Sequence, residues 1–327
     1  MNGQEKLLEI ENLKVEYITD SGTVHAVNGV SFRLDQGEII GLVGETGAGK
    51  TTIALSIMRL LQTPPARVVS GSIWLGGVDV LKEPKKHMRK IRGKKVSMIF
   101  QDPMTALNPL ETVGTQVEEV ILIHEKLSRA DARKKAVEIL EMVGIKGERF
   151  GDYPSQFSGG MKQRIVIAIA LACRPKLLIA DEPTTALDVT IQNQVLALIR
   201  NLKTELNTSV IMITHDLGIV AEMCEKVAVI YAGEIVEMGD IVQIYDHTAH
   251  PYTKGLFGSI PNISATADRL QPIPGSMHDP RIEKTGCVFA DRCSCRQECC
   301  DKIKPELIQV DDGHYVRCLF AEKFAAR

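Results

Sequence analysis

The chain has 327 residues, of which 44% are hydrophobic and 24% are charged, and its formal net charge is −2. This composition is typical of a folded globular protein and argues against a disordered, collagen-like or membrane-spanning chain. A net charge this close to zero gives no basic field that would attract nucleic acid or an anionic membrane surface, so we expect no nucleic-acid partner.

The N-terminal region predicts a layer of strands that is followed by alternating strands and helices. Residues 8–44 contain three apolar runs separated by turn residues. From about 112 to 173, apolar residues recur at helical spacing, which predicts a helical insertion. Three later apolar runs are typical of buried parallel strands, and they read KLLIAD, SVIMITH and KVAVIYAG. The predicted fold class is therefore α/β.

The composition changes near residue 240. Five prolines fall between 247 and 286, and six of the eight cysteines fall between 287 and 327. We therefore predict a first domain over 1–240 and a small Cys/Pro-rich C-terminal domain over 241–327. The acidic start MNGQEKLLEIENL lacks the pattern of a secretory signal, so we expect a cytosolic chain whose cysteines stay reduced.

The segment GETGAGKT follows an apolar strand and precedes a predicted helix, and it fits the phosphate-loop pattern G-x-x-x-x-G-K-[ST]. Glycines at this spacing let backbone amides face a triphosphate, Lys50 neutralises the β and γ oxygens, and Thr51 offers its hydroxyl to Mg²⁺. The predicted ATP-binding residues are Gly44, Glu45, Thr46, Gly47, Ala48, Gly49, Lys50, Thr51 and Thr52.

The apolar run LLIADEP at 177–183 ends in two carboxylates, where a parallel strand leaves the sheet at its carboxyl edge. Asp181 can hold Mg²⁺, usually through water. Glu182 points elsewhere by strand alternation and can polarise the attacking water as a general base. We therefore predict that both carboxylates serve ATP hydrolysis.

The segment FSGGMKQR at 157–164 resembles the signature motif of ATP-binding cassette (ABC) ATPases. Ser158, Gly159 and Gly160 open an apolar helix, and a serine hydroxyl with amides at a helix N-terminus makes an anion site. The helical insertion should carry this site away from the chain's own phosphate loop. The motif therefore suits the ATP of a second ABC subunit, in a homodimer or a heterodimer.

The order of the motifs resembles the same family over about residues 7–240. The resemblance implies a P-loop NTPase core with an antiparallel β subdomain and a helical insertion. It also implies that Tyr17 stacks on adenine, that Gln101 contacts Mg²⁺ and the lytic water, and that His215 contacts the γ-phosphate. Thr51, Gln101 and Asp181 are then the expected Mg²⁺ ligands.

The common family signature has Gln after the two glycines, whereas this chain has Met161. Met161 before KQR, together with HPYTKGLFGSIP at 250–261, resembles the branch that energises dipeptide, oligopeptide and nickel uptake. That implies an ATPase at the cytoplasmic face of the membrane, with two transmembrane permease subunits and, indirectly, an extracytoplasmic solute-binding protein. The alternatives are a nickel-importer ATPase and a soluble ABC ATPase that transports nothing.

Four C-terminal cysteines fit C-x5-C-x6-C-x17-C, and they are Cys287, Cys293, Cys300 and Cys318. Thiolates that converge from separate segments can bind Zn²⁺ or an iron–sulfur cluster, and their spacing does not select the metal. The branch's C-terminal region carries the same CxF..RC pattern, to which members can attach a four-iron cluster. The resemblance therefore implies [4Fe–4S], with Zn²⁺ or reduced cysteines as alternatives. Cys295, Cys299 and His314 are further candidate ligands.

Overall fold

The computed structural model describes residues 6–185, 187–259 and 272–325. The chain forms two compact units. Unit 1 comprises the described residues of Met1–Leu8, Arg33–Ile39 and Trp74–Ile213. Unit 2 comprises the described residues of Glu9–Phe32, Ile40–Ile73 and Thr214–Arg327.

The strands and helices follow one another in both units. The strands are β1 Lys6–Thr19, β2 Gly22–Asp35, β3 Ile39–Val43, β4 Ala66–Leu75, β5 Val78–Asp79, β6 Val96–Ile99, β7 Leu177–Asp181, β8 Ser209–Thr214, β9 Lys226–Tyr231, β10 Glu234–Asp240, β11 Ile308–Asp311 and β12 His314–Val316. The helices are α1 Lys50–Met58, α2 Lys85–Ile91, α3 Pro103–Ala106, α4 Val113–His124, α5 Arg129–Met142, α6 Gly159–Leu171, α7 Val189–Leu206, α8 Leu217–Met223, α9 Ile241–Asp246, α10 Pro251–Gly258 and α11 Ala321–Ala325.

Parallel strands form the sheet of unit 1. β7 pairs in parallel with β6 on one side and with β8 on the other, so that Leu177 lies opposite Val96 and Ser209. Every residue of β7 and β8 is buried. Burial on both faces explains why these strands appear in the sequence as continuous apolar runs.

Helices α4, α5 and α6 of unit 1 occupy the segment where the sequence predicts a helical insertion. The hydroxyls of Thr112 and Ser128 cap α4 and α5 by accepting the N–H groups of Thr115 and Asp131. The buried faces of these helices carry the apolar residues that set the helical spacing.

In unit 2, the sheet order runs β11–β12–β10–β9–β3. β3 and β9 are parallel, whereas β9 and β10, β10 and β12, and β11 and β12 are antiparallel. The sequence pattern predicted none of β10, β11 and β12, because β10 carries two buried glutamates and the other two strands are only a few residues long.

The C-terminal tail packs against β10 of the same unit. β12 places Val316 opposite Glu237 of β10. Val316 also forms a small apolar cluster with Ala249 and Ala321, and all three are at most 1% exposed. The described residues of the tail, 308–325, therefore belong to the same packed structure as β9 and β10.

The strands that alternate with helices confirm the predicted α/β class, and the predicted apolar runs KLLIAD, SVIMITH and KVAVIYAG form β7, β8 and β9. The division of the chain at residue 240 stays a prediction. Within the described part of the chain, no helix is both long enough and apolar enough to cross a bilayer.

Candidate functional site

The phosphate loop of unit 2 connects β3 to α1, and its backbone requires glycine at two positions. Gly44 and Gly49 have φ angles of +156° and +104°. A Cβ atom on Gly44 would lie 2.1 Å from the carbonyl oxygen of Ile230, and one on Gly49 would lie 2.4 Å from that of Ala26. A side chain at either position would therefore force the loop to move.

Lys50 begins α1 and turns back over the loop. Its side chain is only 6% exposed, and its Nζ donates to the carbonyl oxygens of Gly44 at 2.6 Å and Glu45 at 3.0 Å. The amide of Ala48 also bonds to the Glu45 carbonyl, at 3.1 Å. The loop therefore holds a buried cation inside a closed turn, an arrangement suited to a bound polyphosphate.

Tyr17 and His215 also belong to unit 2. The Tyr17 hydroxyl lies 3.3 Å from the Thr52 hydroxyl, which brings this ring to the first turn of α1. His215 follows the end of β8 and is exposed. Next to it, Asp216 caps α8 by accepting the N–H groups of Gly218 and Ile219.

Glu45 of the phosphate loop is held by residues of the C-terminal region that sequence reasoning missed. Arg292 Nη1 lies 2.7 Å from Glu45 Oε2, and Arg292 Nη2 lies 3.1 Å from Oε1. The Glu45 amide donates to the Tyr252 hydroxyl at 3.1 Å. Arg292 is separated from Glu45 by 247 positions, so no local motif could have revealed the pair.

Gln101, Asp181 and Glu182 belong to unit 1, where β6 and β7 are neighbours. Asp181 ends β7 and is 3% exposed. Gln101 Nε2 donates to Glu182 Oε2 at 2.8 Å. The structure thus brings together two of the predicted hydrolytic residues.

The backbone of Glu182 is unusual, because its φ of +49° is rare for a residue with a side chain. Its amide donates to the carbonyl oxygen of Ile213 at 2.8 Å, and its carboxylate accepts a bond from Thr185 Oγ1 at 3.0 Å. Such strain persists only where surrounding contacts hold it, and it clusters at functional sites. Thr185 was not predicted, since its contact depends on this sharp bend after β7.

The signature residues lie at the N-terminus of α6 in unit 1. Ser158 occupies the N-cap position and is exposed, but its side chain makes no capping hydrogen bond with the helix. A Cβ on Gly159 would meet nothing within 4 Å, whereas one on Gly160 would lie 2.5 Å from Ile191 Cγ2. The outer face of this helix start is therefore open, and its inner face packs closely on α7.

The four predicted cysteine ligands line one small cavity of unit 2. Cys287, Cys293, Cys300 and Cys318 surround it together with Cys295, whereas Cys299 is not part of its lining. The cavity measures about 20 Å³, room for roughly one water-sized sphere. All four cysteines therefore contribute to the lining of one cavity.

Burial disfavours the thiolate form in this cavity. It raises the pKa of Cys293 and of Cys318 to about 11 and also raises the pKa of Cys287. The amides of Phe289, Cys295 and Phe320 oppose this effect by donating to the sulfurs of Cys287, Cys293 and Cys318, respectively. Each donor lies two residues after its cysteine, and the contact from Phe320 measures 3.4 Å.

In residues 6–185, 187–259 and 272–325, no three His, Cys, Asp or Glu side chains are grouped so as to hold a metal ion. The positions of these side chains therefore do not support the predicted [4Fe–4S] cluster or its zinc alternative. His314, a further candidate ligand, points elsewhere: its Nε2 lies 2.9 Å from Glu237 Oε1, and both side chains are buried. The same carboxylate accepts the amides of Ala249 and His250.

The chain is similar to known transport proteins over nearly its whole length. Residues 27–185 match the family model described as ABC transporter, and residues 236–300 match the oligopeptide/dipeptide transporter, C-terminal region. The dipeptide transport ATP-binding protein DppD of Bacillus subtilis is 49% identical over 98% of this chain and 96% of its own length. The oligopeptide transport ATP-binding protein OppD of the same organism is 47% identical over 95% of this chain and 88% of its own.

Solved structures agree with these sequence matches. A dimeric ATP-binding cassette in a post-hydrolysis state, bound to ADP and Pi, superposes with a TM-score of 0.65 at 26% identity, covering 72% of this chain and 99% of that chain. A part of an ABC transporter complex from Clostridium perfringens superposes with a TM-score of 0.64 at 28% identity, covering 74% of this chain and 91% of that chain.

Proposed function

This chain belongs to the ABC transporter family, among the ATP-hydrolysing subunits of dipeptide and oligopeptide importers, and on that premise we propose how its residues bind and cleave ATP. The observation that carries the proposal is the closed phosphate loop around the buried Lys50. Loop amides bind phosphate oxygens, and the lysine ammonium neutralises the charge between the β and γ groups. Tyr17 would stack on adenine beside Thr52, and His215 would contact the γ-phosphate.

ATP binding with Mg²⁺ is expected of an ABC ATPase. The donors predicted for the ion are the Thr51 hydroxyl, the Gln101 amide oxygen and the Asp181 carboxylate, directly or through water. Oxygen donors of this kind are what Mg²⁺ prefers, so the residues fit the ion. Bound there, Mg²⁺ would offset negative charge on the β and γ oxygens.

Glu182 is proposed as the general base that takes a proton from the attacking water. Its carboxylate contacts Gln101 at 2.8 Å and Thr185 at 3.0 Å, and both side chains donate to the same Oε2 atom. These two donors fix the orientation of the carboxylate. A carboxylate held in one orientation is suited to accept a proton from a water molecule placed beside it.

Ser158, Gly159 and Gly160 are proposed to contact the ATP of an opposing ABC subunit, so that each nucleotide lies between two chains. The support is that the Ser158 hydroxyl is exposed and makes no capping bond to α6. Together with the first amides of the helix, it can bind an anion presented from outside the chain.

A bulky residue at position 158 should therefore act in trans. We expect Ser158→Phe to lower ATP hydrolysis by roughly 100-fold, the scale of a lost transition-state donor, while the variant's own ATP affinity stays nearly unchanged. Affinity is measured by equilibrium binding and hydrolysis by phosphate release. Ser155→Phe, also exposed and three positions earlier, is the matched control. If Ser158→Phe loses ATP affinity and Ser155→Phe does not, the proposed contact of Ser158 with the ATP of the opposing subunit is contradicted.

The partners proposed are a second ABC subunit, two transmembrane permease subunits and, indirectly, an extracytoplasmic solute-binding protein, with this chain at the cytoplasmic face of the membrane. The segment between Gln101 and Gln116 suits contact with the permeases, since it contains Leu110, which is 84% exposed. Surface loops between regular elements commonly carry contacts with other proteins, and the Leu110 side chain is available for burial in such a contact.

Transport coupling can be tested in proteoliposomes that contain the assembled transporter. We expect ATP hydrolysis to rise severalfold when the solute-binding protein carries a di- or oligopeptide, because closure of the ABC dimer drives the permeases. Phosphate release and uptake of labelled peptide are measured together. Stimulation by nickel instead of peptide would favour the nickel-importer alternative, and a chain that never co-purifies with permeases would favour a soluble ABC ATPase.

For the cysteine cavity, we propose a [4Fe–4S] cluster held by Cys287, Cys293, Cys300 and Cys318, with Zn²⁺ as the alternative. The support is that four cysteines line one cavity, since four cysteine ligands are a common set for either metal centre. Backbone amides that donate to three of the sulfurs are the contacts that stabilise metal-bound thiolates. Bound there, a centre would hold the separated segments together.

Metal analysis tests this proposal. We expect the anaerobically purified chain to be brown, with about four iron and four sulfide per chain, and Cys293→Ser to lose both. Cys299→Ser, which alters a cysteine outside the cavity lining, should keep them. A colourless chain with one zinc would favour the alternative. Full titration of all eight thiols without iron or zinc would contradict both metal centres.

A further inference from the structure

We propose that the C-terminal region of this chain sets the phosphate loop in its ATP-binding conformation, with Arg292 as the positioning residue. The inference rests on the proposed ATP-binding function. It assigns to Arg292 a role in nucleotide affinity, although the residue lies far outside the nucleotide motifs of the sequence.

The guanidinium of Arg292 binds the carboxylate of Glu45 through both of its terminal nitrogens. Two parallel bonds of 2.7 and 3.1 Å join the guanidinium to both carboxylate oxygens. Arg292 is itself fixed, because its Nε donates to the carbonyl oxygen of Pro274 at 2.9 Å and its side chain is only 6% exposed. A bidentate pair with a partner this constrained leaves the carboxylate a single orientation.

The backbone of Glu45 is held from the same region. Its amide donates to the hydroxyl of Tyr252, a fully buried residue whose ring packs 4.7 Å from Tyr231 and 5.3 Å from Phe289, measured between centroids. The carboxylate and the backbone amide of Glu45 are therefore both held by residues of the C-terminal region. Tyr252 links the Glu45 amide to a cluster of buried aromatic rings.

A carboxylate in a phosphate loop is a problem for ATP binding, because it repels the triphosphate. Glu45 is 30% exposed on its side chain, so its charge is only partly screened by water. Arg292 compensates that charge through its contacts with both carboxylate oxygens. Its loss should therefore weaken ATP binding through repulsion from Glu45, rather than through any contact of Arg292 with the nucleotide.

Arg292 is positioned by the segment 287–293, which begins and ends with a cysteine. It ends a short 3-10 turn, Ala290–Arg292, and Cys287 and Cys293 on either side of this turn both line the cysteine cavity. The amides of Arg292 and Cys293 bond back to Phe289 and Ala290 at 3.1 and 3.2 Å. The segment that carries the proposed metal ligands is thus the one that presents the guanidinium to the phosphate loop.

The test is a double-mutant cycle in the full-length chain, read by equilibrium binding of a fluorescent ATP analogue with Mg²⁺. We expect Arg292→Gln to weaken binding roughly tenfold, which is about 1.4 kcal/mol. Adding Glu45→Gln should restore most of the affinity, because the repelling charge is then gone. Arg296→Gln is the matched control, since Arg296 lies in the same segment, is exposed and pairs with Asp301.

Two further measurements separate positioning from a general loss of structure. In the assembled transporter, Arg292→Gln should raise KM for ATP much more than it lowers kcat, and Arg292→Lys should lie between Gln and the parent. Tyr252→Phe, which removes only the acceptor of the Glu45 amide, should weaken analogue binding as well.

Unchanged affinity in Arg292→Gln, or a loss that Glu45→Gln does not relieve, would overturn the inference and leave ATP binding by the parent intact. If Arg292→Gln does not fold, Arg292→Lys and Tyr252→Phe decide, and parental affinity in both would overturn it. A parent chain that binds no ATP would instead defeat the proposed function.

Discussion

Replacing Glu182 with Gln is expected to reduce ATP turnover in the assembled transporter by roughly 100- to 10,000-fold, the range of a lost general base. Glutamine keeps the shape of the side chain and can still accept the bond from Thr185, so the bend after β7 should persist. ATP binding should survive, because the substitution leaves the phosphate loop unchanged. Because Glu182→Gln still binds ATP but cleaves it slowly, the variant should accumulate as an ATP-bound dimer.

Single-turnover phosphate release and size-exclusion chromatography with ATP measure these two effects separately. Glu205→Gln, which alters an exposed glutamate of α7, should behave like the parent in both. Turnover at the parental rate in Glu182→Gln would show that another group activates the water.

Replacing Lys50 with Ala is expected to weaken ATP binding roughly 10- to 100-fold, since a charge-assisted hydrogen bond contributes about 1.5 to 3 kcal/mol. Hydrolysis should fall with it, because the same ammonium stabilises charge that develops on the transferred phosphoryl group. Alanine is a good helix former, so α1 should still begin at this position. Lys50→Ala and Glu182→Gln should therefore differ in ATP binding although both lose turnover.

Titration calorimetry with Mg²⁺ and ATP measures this difference, and a thermal melt without nucleotide checks that Lys50→Ala is folded. Lys302→Ala removes an exposed lysine of unit 2 and should retain the parental affinity. Parental affinity in a folded Lys50→Ala chain would mean that the loop amides alone hold the phosphates.

The sequence was sufficient for features that are set within a few neighbouring residues. Gly44 and Gly49 could be predicted because a phosphate loop needs backbone freedom at fixed spacing, and the structure gives both a positive φ. β7 and β8 could be predicted because strands buried on both faces must be apolar throughout. In these cases, the physical constraint lies in the segment itself.

Contacts between distant segments could not be predicted in the same way. The pairing of Glu45 with Arg292 depends on how residues 273–292 fold back onto the phosphate loop, and no periodicity encodes that path. Nothing in the sequence around Glu237 indicates burial, although its carboxylate accepts bonds from His314 and two backbone amides. A buried carboxylate becomes recognisable only when its donors are known.

The pairing of β12 with β10 bears on whether shortened versions of this protein stay in solution. β10 has β9 on one side and β12 on the other, so removal of residues from 308 onward would leave its outer N–H and C=O groups without partners. An open, mostly buried strand of this kind can recruit another chain and aggregate. The intact protein instead ends this side of the sheet with the four-residue β11, which is mostly exposed. β11 ends in Asp311 and is followed by Asp312, and a short edge with such charges discourages intermolecular pairing.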